Sequence, residues 1–341
     1  MSNLVIVESP AKCSKIQGYL GPGYKVIATM GHIRALEESL DAIGFDRDFE
    51  PKYEFLATKA KALKQLKECA KGATTVYLAS DDDREGEAIS YSVALYLKLP
   101  PTTTPRIVFH EITEKAIKAA VAAPRRIDMN RVHAQQARSV LDMMIGFTMS
   151  PLLWKHVAGG LSAGRCQTPA LRLVVEREDQ IRNFATASSW RISGSWDQAK
   201  ATLDDDLEDE ESALNFLELL HDDLTREGRI QSNTVRPWTT NAPQPLITST
   251  LQQQASALFS IGPKAAMSSA QRLYEAGHIT YMRTDKAVLS EEAKEAIREY
   301  VTTTYGTEYG KPLEIATLPL LPTKGAAVTA VTPAAQEAHE C

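Results

Sequence analysis

The sequence predicts an α/β protein that opens on a mostly parallel sheet and continues through helical, β-rich and again helical segments. Three observations carry this expectation. Between residues 3 and 123, short β-rich runs alternate with helical stretches, the pattern of strands joined by crossover helices. Pro124, Arg125 and Arg126 punctuate the end of that alternation. Beyond them the apolar spacing turns helical, then strand-like, then helical again.

In order, "LVIV" at 4–7 reads as the first strand and "PAKCSKIQGYL" at 10–20 as the helix after it. "YKVIAT", "TVYLAS" and "RIVFHEI" read as further strands, separated by the helical "KAKALKQLKECAK" and "EGEAISYSVALYLKL" and followed by "TEKAIKAAVAA". The first domain is therefore expected over 1–125, with its chemistry gathered at the carboxyl ends of the strands. A helical segment is expected over 126–185, with helices at 130–149 and 169–183 on either side of the glycine-rich "AGGLSAGR". Residues 186–240 read as a smaller β-rich segment interrupted by the acidic run "DDDLEDEE" at 204–211, a solvated loop. The last segment, 241–341, begins with two helices that lead into "HITYMRTD", with Gly277 as a helix C-terminal cap.

At 341 residues, 43% hydrophobic and 24% charged, the chain has the composition of an ordered globular protein with room for more than one core. No run approaches the roughly 18 apolar residues of a membrane span, and no leader pattern precedes "NLVIVES". The protein is expected to stay where it is made, with no membrane partner. Four well-separated cysteines form neither a C-x-x-C pair nor a disulfide framework, which suits a reducing compartment. A net charge of −5 argues against coating nucleic acid by bulk charge, but residues 130–190 hold seven Arg or Lys against four Asp or Glu. That stretch could line a phosphate-binding groove.

Candidate chemistry gathers at three places. In "VYLASDDDREGEA", Asp81 follows a strand, Asp83 lies two residues on and Glu85 opens a helix. Carboxylates so crowded raise one another's pKa unless a cation sits among them, and Mg²⁺ is the natural one. An acidic helix N-terminus stabilised by the macrodipole is the plainer alternative. "LVIVESPAK" puts Glu8 just past the first strand and Lys12 a turn further, so Glu8 could face the same crevice as Asp81 and transfer a proton while Lys12 holds a phosphate. "HITYMRTD" places Tyr281 two residues from Arg283, a phenol beside a cation able to stabilise developing charge. No G-x-x-x-x-G-K-[ST] occurs, so ATP is not expected to drive the chemistry.

With "GHIR", "NRVHAQQARSVLD", "SPLLWK", "GLSAGRCQT", "ITSTLQQQA", "AQRLYEAGHITYMRTD" and "AQEAHE" in addition, the chain resembles the type IA DNA topoisomerases over essentially its whole length. The resemblance implies a TOPRIM-like first domain, then helical, arch and tyrosine-bearing domains of a toroid. It implies that Tyr281 attacks a phosphodiester of single-stranded DNA to form a 5′-phosphotyrosyl link, with Arg283 neutralising the phosphate. Glu8 would be the general acid with Lys12 beside it, and Asp81, Asp83, Glu85 and Glu8 would hold Mg²⁺. Arg138, Asp142, Arg165 and Gln167 fall on strand-binding positions, and His339 on a histidine that helps place the phosphate. His32 and Glu275 fall on further family positions, for each of which a structural role is the alternative. Strand passage and religation would then relax negative supercoils without ATP, in the cytoplasm and at the nucleoid if the source is bacterial.

Asp82 stands where the family usually has an apolar residue or proline, and its extra charge is expected to bear on metal affinity. Lys286 and Cys13 are smaller departures. Cys341 follows "AQEAHE" where family members continue into the returning segments of the toroid, so an incomplete gate is expected. A non-catalytic DNA-binding fragment is the competing expectation.

Overall fold

The computed structural model describes residues 2–196, 199–222, 230–238, 243–285, 287, 289 and 291–309. The chain divides into two compact units, one formed by Met1–Ala163 with Pro243–Cys341 and the other by Gly164–Ala242. In chain order, the strands of the first unit are β1 (Ser2–Val7), β2 (Tyr24–Ala28), β3 (Arg34–Leu36), β4 (Tyr53–Phe55) and β5 (Ala73–Ala79). Its helices begin with α1 (Cys13–Leu20), α2 (Ala60–Lys71), α3 (Arg84–Leu97), α4 (Glu114–Ala122) and α5 (Met129–His156).

The expected parallel sheet is present, in the order β2-β1-β5. Its register sets Val7 opposite Ala79, so Glu8 and Ser80 leave the sheet side by side. Strand alternation divides the core in two. Leu4 and Ile6 face a cluster with Leu63 and Leu66 of α2 and Ile89 and Val93 of α3, whereas Val5 and Val7 face Ile16, Ile107, Phe109, Ile112 and Ile117. A separate antiparallel pair joins β3 to β4.

One expected strand is reduced to a bridge. In "RIVFHEI" only Arg106 makes a parallel bridge, to Leu78, and its other edge pairs with Arg125. The chain then leaves the sheet edge because Phe109 and Ile112 turn into the core beneath it, and the His110 carbonyl accepts the Tyr281 N–H at 2.8 Å. Arg106 is fully buried: its guanidinium donates to Glu87 Oε2 at 3.1 Å, to the Ile107 carbonyl at 2.6 Å and to the Asp81 carbonyl at 2.8 Å.

Helix α5 is longer than expected, running through Pro151 to His156. Proline deprives the helix of a single donor there, and "LLWKH" carries the helical turns on to a Val157 N–H bonded to the Leu153 carbonyl at 2.8 Å. The second unit holds α6 (Gln167–Arg182), a hairpin of β6 (Ser193–Trp196) and β7 (Ala199–Thr202), and α7 (Glu210–Asp222). The acidic run is therefore only partly a loop. Asp209 accepts from the Ser212 N–H at 2.7 Å and starts α7, with Glu210 and Glu211 in its first turn, where the helix dipole favours negative charge.

In the first unit, α8 (Thr248–Phe259) and α9 (Pro263–Glu275) precede the tyrosine segment, and α10 (Glu291–Tyr305) comes after it. Gly277 closes α9 at φ +73°, with its N–H on the Tyr274 carbonyl at 2.8 Å and the His278 N–H on the Leu273 carbonyl at 2.9 Å. A side chain at Gly277 would also meet the Ile112 carbonyl at 2.9 Å, so the turn has no room for one. Among the described residues no helix is long and apolar enough to cross a membrane.

The buried Arg106–Glu87 pair yields a stability prediction. Arg106→Met leaves Glu87 buried with Arg125 as its remaining ion-pair partner and should cost on the order of 3 kcal/mol in urea melts. The double variant Arg106→Met, Glu87→Leu should recover part of that loss. A double variant less stable than the single one would mean that the charges themselves hold the sheet edge.

Candidate active site

Four carboxylates meet at the carboxyl edge of the sheet. Glu8, Asp81, Asp83 and Glu85 line one cavity of about 300 Å³ together with Gln271, Tyr281 and Arg283. The loop from β5 to α3 is held from below, since the Asp81 carbonyl accepts from Arg106 and the Asp81 carboxylate pairs with Lys12. Lys12 is fully buried in the turn before α1, 4.7 Å above the Tyr274 ring, and is not part of the cavity wall. Asp83 is the N-cap of α3, accepting from the Gly86 N–H at 2.8 Å. Only glycine fits at 86, because a Cβ there would collide with the Asp81 backbone.

Asp83 also receives the tyrosine segment. The Tyr281 hydroxyl donates to Asp83 Oδ2 at 2.5 Å, and the Arg283 guanidinium reaches the same oxygen at 2.9 Å. The backbone of the segment is fixed at both ends. Tyr281 N–H bonds the His110 carbonyl, while the Thr248 hydroxyl donates to the Met282 carbonyl at 2.8 Å and accepts from the Thr284 N–H at 3.0 Å. Tyr281 is 4% exposed, edge-on to Tyr274 at 5.2 Å, and Met282 is buried in the same cluster.

The outer carboxylate, Glu85, is bound by His32 Nε2 at 3.2 Å, Gln135 at 3.1 Å and Arg138 at 3.3 Å. Asp142 lies one turn along α5 at 3.9 Å from Arg138. Arg165 and Gln167 belong to the second unit, the latter opening α6. Glu275 ends α9 and accepts from Gln271 at 3.1 Å. His339 lies outside the described residues.

Asp82 turns away from the cavity. Its carboxylate meets Arg131 at 2.6 Å, Arg125 at 3.3 Å and His110 Nδ1 at 3.6 Å, so the charge expected to bear on a metal is met by protein cations instead. Glu87, Arg106, Tyr274 and Thr248 were not singled out from sequence. A charge at Glu87 inside the apolar run of α3 was the one visible sign.

The electrostatics separate the carboxylates. Burial, then Asp81 and Asp83, push Glu8 up to about 7 against the pull of Lys12 and His32. Burial also raises Asp83, but the bonds from Tyr281, the Gly86 N–H and Arg283 outweigh it and hold this carboxyl below its ordinary range. Burial and the neighbouring Asp83 push the Tyr281 phenol far above its usual value. The phenol is thus held protonated while it rests on Asp83. A hydrogen bond to Glu85 raises His32 despite burial and lowers Glu85 in return.

An all-oxygen donor set suits a hard divalent cation, and Asp81 and Asp83 add to the burial that raises Glu8, as like charges at one cavity do. As the side chains stand, no three His, Cys, Asp or Glu residues among those described converge on one point, since Asp81 and Asp83 are engaged by Lys12, Tyr281 and Arg283. The donor chemistry fits such an ion, while the present contacts hold two of the four carboxylates on protein donors.

Comparison with known proteins identifies the family. Residues 3–112 match the Toprim domain, a divalent-metal-binding domain, and residues 126–341 match the DNA topoisomerase family. The chain is also similar to the solved structure of full-length topoisomerase I from Thermotoga maritima, with a TM-score of 0.77 and 36% identity over 90% of this chain. It spans 53% of the length of that protein. A Toprim sheet whose carboxylate edge receives a tyrosine from the topoisomerase-family region completes the case: the chain belongs to the type IA DNA topoisomerases, of the bacterial topoisomerase I-like kind.

Proposed function

We propose that this chain performs the strand-opening and rejoining chemistry of a type IA topoisomerase on single-stranded DNA, with Tyr281 as nucleophile. The observation that carries this reading is the Tyr281 hydroxyl on Asp83, inside a cavity that also presents Glu8 and Arg283. The phenolic oxygen attacks the phosphorus, and its proton leaves along the hydrogen bond it already makes to Asp83. The bond from phosphorus to the 3′-oxygen breaks, and that oxygen takes a proton from Glu8, which at about 7 is substantially protonated at neutral pH. Arg283, half exposed on its outer side, leaves Asp83 for the phosphate and stabilises the charge that develops there.

One ester is exchanged for another, so rejoining needs no ATP. Mg²⁺ held by Asp81, Asp83, Glu85 and Glu8 would supply the positive charge that keeps the ends positioned. Lys12, buried on Asp81, acts as that carboxylate's counter-charge and restrains Glu8 rather than holding a phosphate directly. Support for a single-stranded substrate comes from α5. A cavity of about 870 Å³ runs past Asp142 to the half-exposed rings of Phe147 and Trp154, surfaces on which unpaired bases stack. Arg138, Asp142, Arg165 and Gln167 are proposed to hold the strand, and His339 to help place the phosphate. With strand passage, these steps are proposed to relax negative supercoils.

Tyr281→Phe should abolish the covalent adduct on labelled single-stranded DNA with Mg²⁺ while leaving noncovalent binding in place. An unchanged adduct would place the nucleophile elsewhere, and binding with no adduct from the wild type would favour a DNA-binding role without catalysis. Mg²⁺ should raise the melting temperature, and replacing Asp81 and Asp83 together by Ala should remove that response.

Glu8 supplies the pH dependence. Its folded pKa lies above the unfolded value, so its contribution is fully present below about 4.5 and is lost as pH rises through about 7. In urea melts with a chelator, Glu8→Gln should gain stability relative to wild type between those limits, by at most on the order of 3 kcal/mol, and hold the gain above them. A difference that shrinks with rising pH would mean that Glu8 sits in a compensated environment.

A further inference from the structure

A second cavity, of about 310 Å³, lies beside the first and is lined by Arg34, Tyr53, Tyr91, Gln135, Gln136 and His32, among others. It shares a wall with the Tyr281 cavity, because His32 and Gln135 line the second while both bond to Glu85, which lines the first. The Arg34 guanidinium is flanked by two rings, 4.5 Å from the Tyr53 centroid and 5.5 Å from that of Tyr91. Among the described residues no carboxylate pairs with it, and its Nε is buried without an acceptor. The fully buried Arg106, by contrast, has acceptors on all three of its nitrogens. The Tyr53 hydroxyl is likewise buried and makes no hydrogen bond of normal geometry, although Ser139 stands close by.

A cation within reach of two rings, with a buried donor to spare at a concave site, is arranged to grip a planar group that offers acceptors. The size is at the lower end of the range of about 300–1,000 Å³ for small-molecule pockets, enough for one nucleotide unit. The remaining polar groups favour a base over a phosphate. Two glutamine amides and the hydroxyls of Tyr53 and Ser139 stand there in place of further unpaired cations, and amides and hydroxyls match base edges. The ring faces are taken by Arg34, so recognition is through the edge of the base rather than by stacking.

We propose that this cavity is a subsite for one splayed base of the DNA strand cut at Tyr281, held by Arg34 and the Tyr53 hydroxyl through acceptor atoms on the edge of the base. The inference rests on the single-stranded substrate proposed above. Arg34 fixes the register of the strand without touching the reacting atoms.

The test is a binding scan with single-stranded oligonucleotides carrying one abasic position at a time, against wild type, Arg34→Lys and Gln136→Trp. In the wild type one position should lower affinity by about tenfold when its base is removed. In Arg34→Lys, which keeps the charge but loses the fork, that position should no longer matter while the others keep their effects. Gln136→Trp, which leaves Arg34 in place and fills the cavity from α5, should erase the same position and guards against a folding defect in the first variant. A flat scan on a protein that binds overturns the subsite alone, as does an equal loss at every position in both variants. Failure to bind any oligonucleotide overturns the single-strand reading as well.

Discussion

Everything at the site turns on one carboxylate. Asp83 starts α3 by accepting a backbone N–H, and its other oxygen receives both the Tyr281 hydroxyl and the Arg283 guanidinium. A single side chain thereby fixes the helix that carries Glu85 and the segment that carries the nucleophile. Because the two donors share an oxygen, a cation drawn to Asp83 would compete with both at once. The Tyr281 hydroxyl and the Arg283 guanidinium are thus coupled through one oxygen, so a change at Asp83 is felt by both.

Around this hub the fold keeps buried charges in balance. Lys12 meets Asp81, Arg106 and Arg125 meet Glu87, and Arg125 and Arg131 meet Asp82. Glu8 stands outside these pairs: burial and two like charges outweigh its neighbouring cations, which keeps a proton within reach at neutral pH. The cost of desolvating so many charges at one edge is offset by the apolar burial beneath it, with Leu4 and Ile6 on one side of the sheet and Val5 and Val7 on the other.

Much of this was legible in the sequence because it is local. Alternation announced the parallel strands, the strand ends located Glu8 and Asp81, and Gly277 announced the end of α9. The features that escaped are set by contacts between distant residues. Lys12 reads as a phosphate ligand or a solvated lysine until the sheet register buries it against Asp81. Asp82 reads as one more acid in the cluster until Arg125 and Arg131, far along the chain, turn it aside. "RIVFHEI" has the composition of a strand, but its carbonyl at His110 is claimed by Tyr281. The start of α7 lay inside an acidic run, where Asp209 caps a helix only because Ser212 and the apolar turns beyond it are helical.

Tyr281 and Met282 belong to the apolar cluster that covers one face of the sheet, and Thr248 clips the backbone beyond them. The reactive hydroxyl is therefore stored, like a folded blade, inside the part of the molecule that resists opening. The Tyr281 ring is locked in the core while its hydroxyl faces the cavity at Asp83, so the hydroxyl has one orientation toward whatever enters there. In the proposed chemistry, such seating would confine strand breakage to substrates that fit the cavity at Asp83.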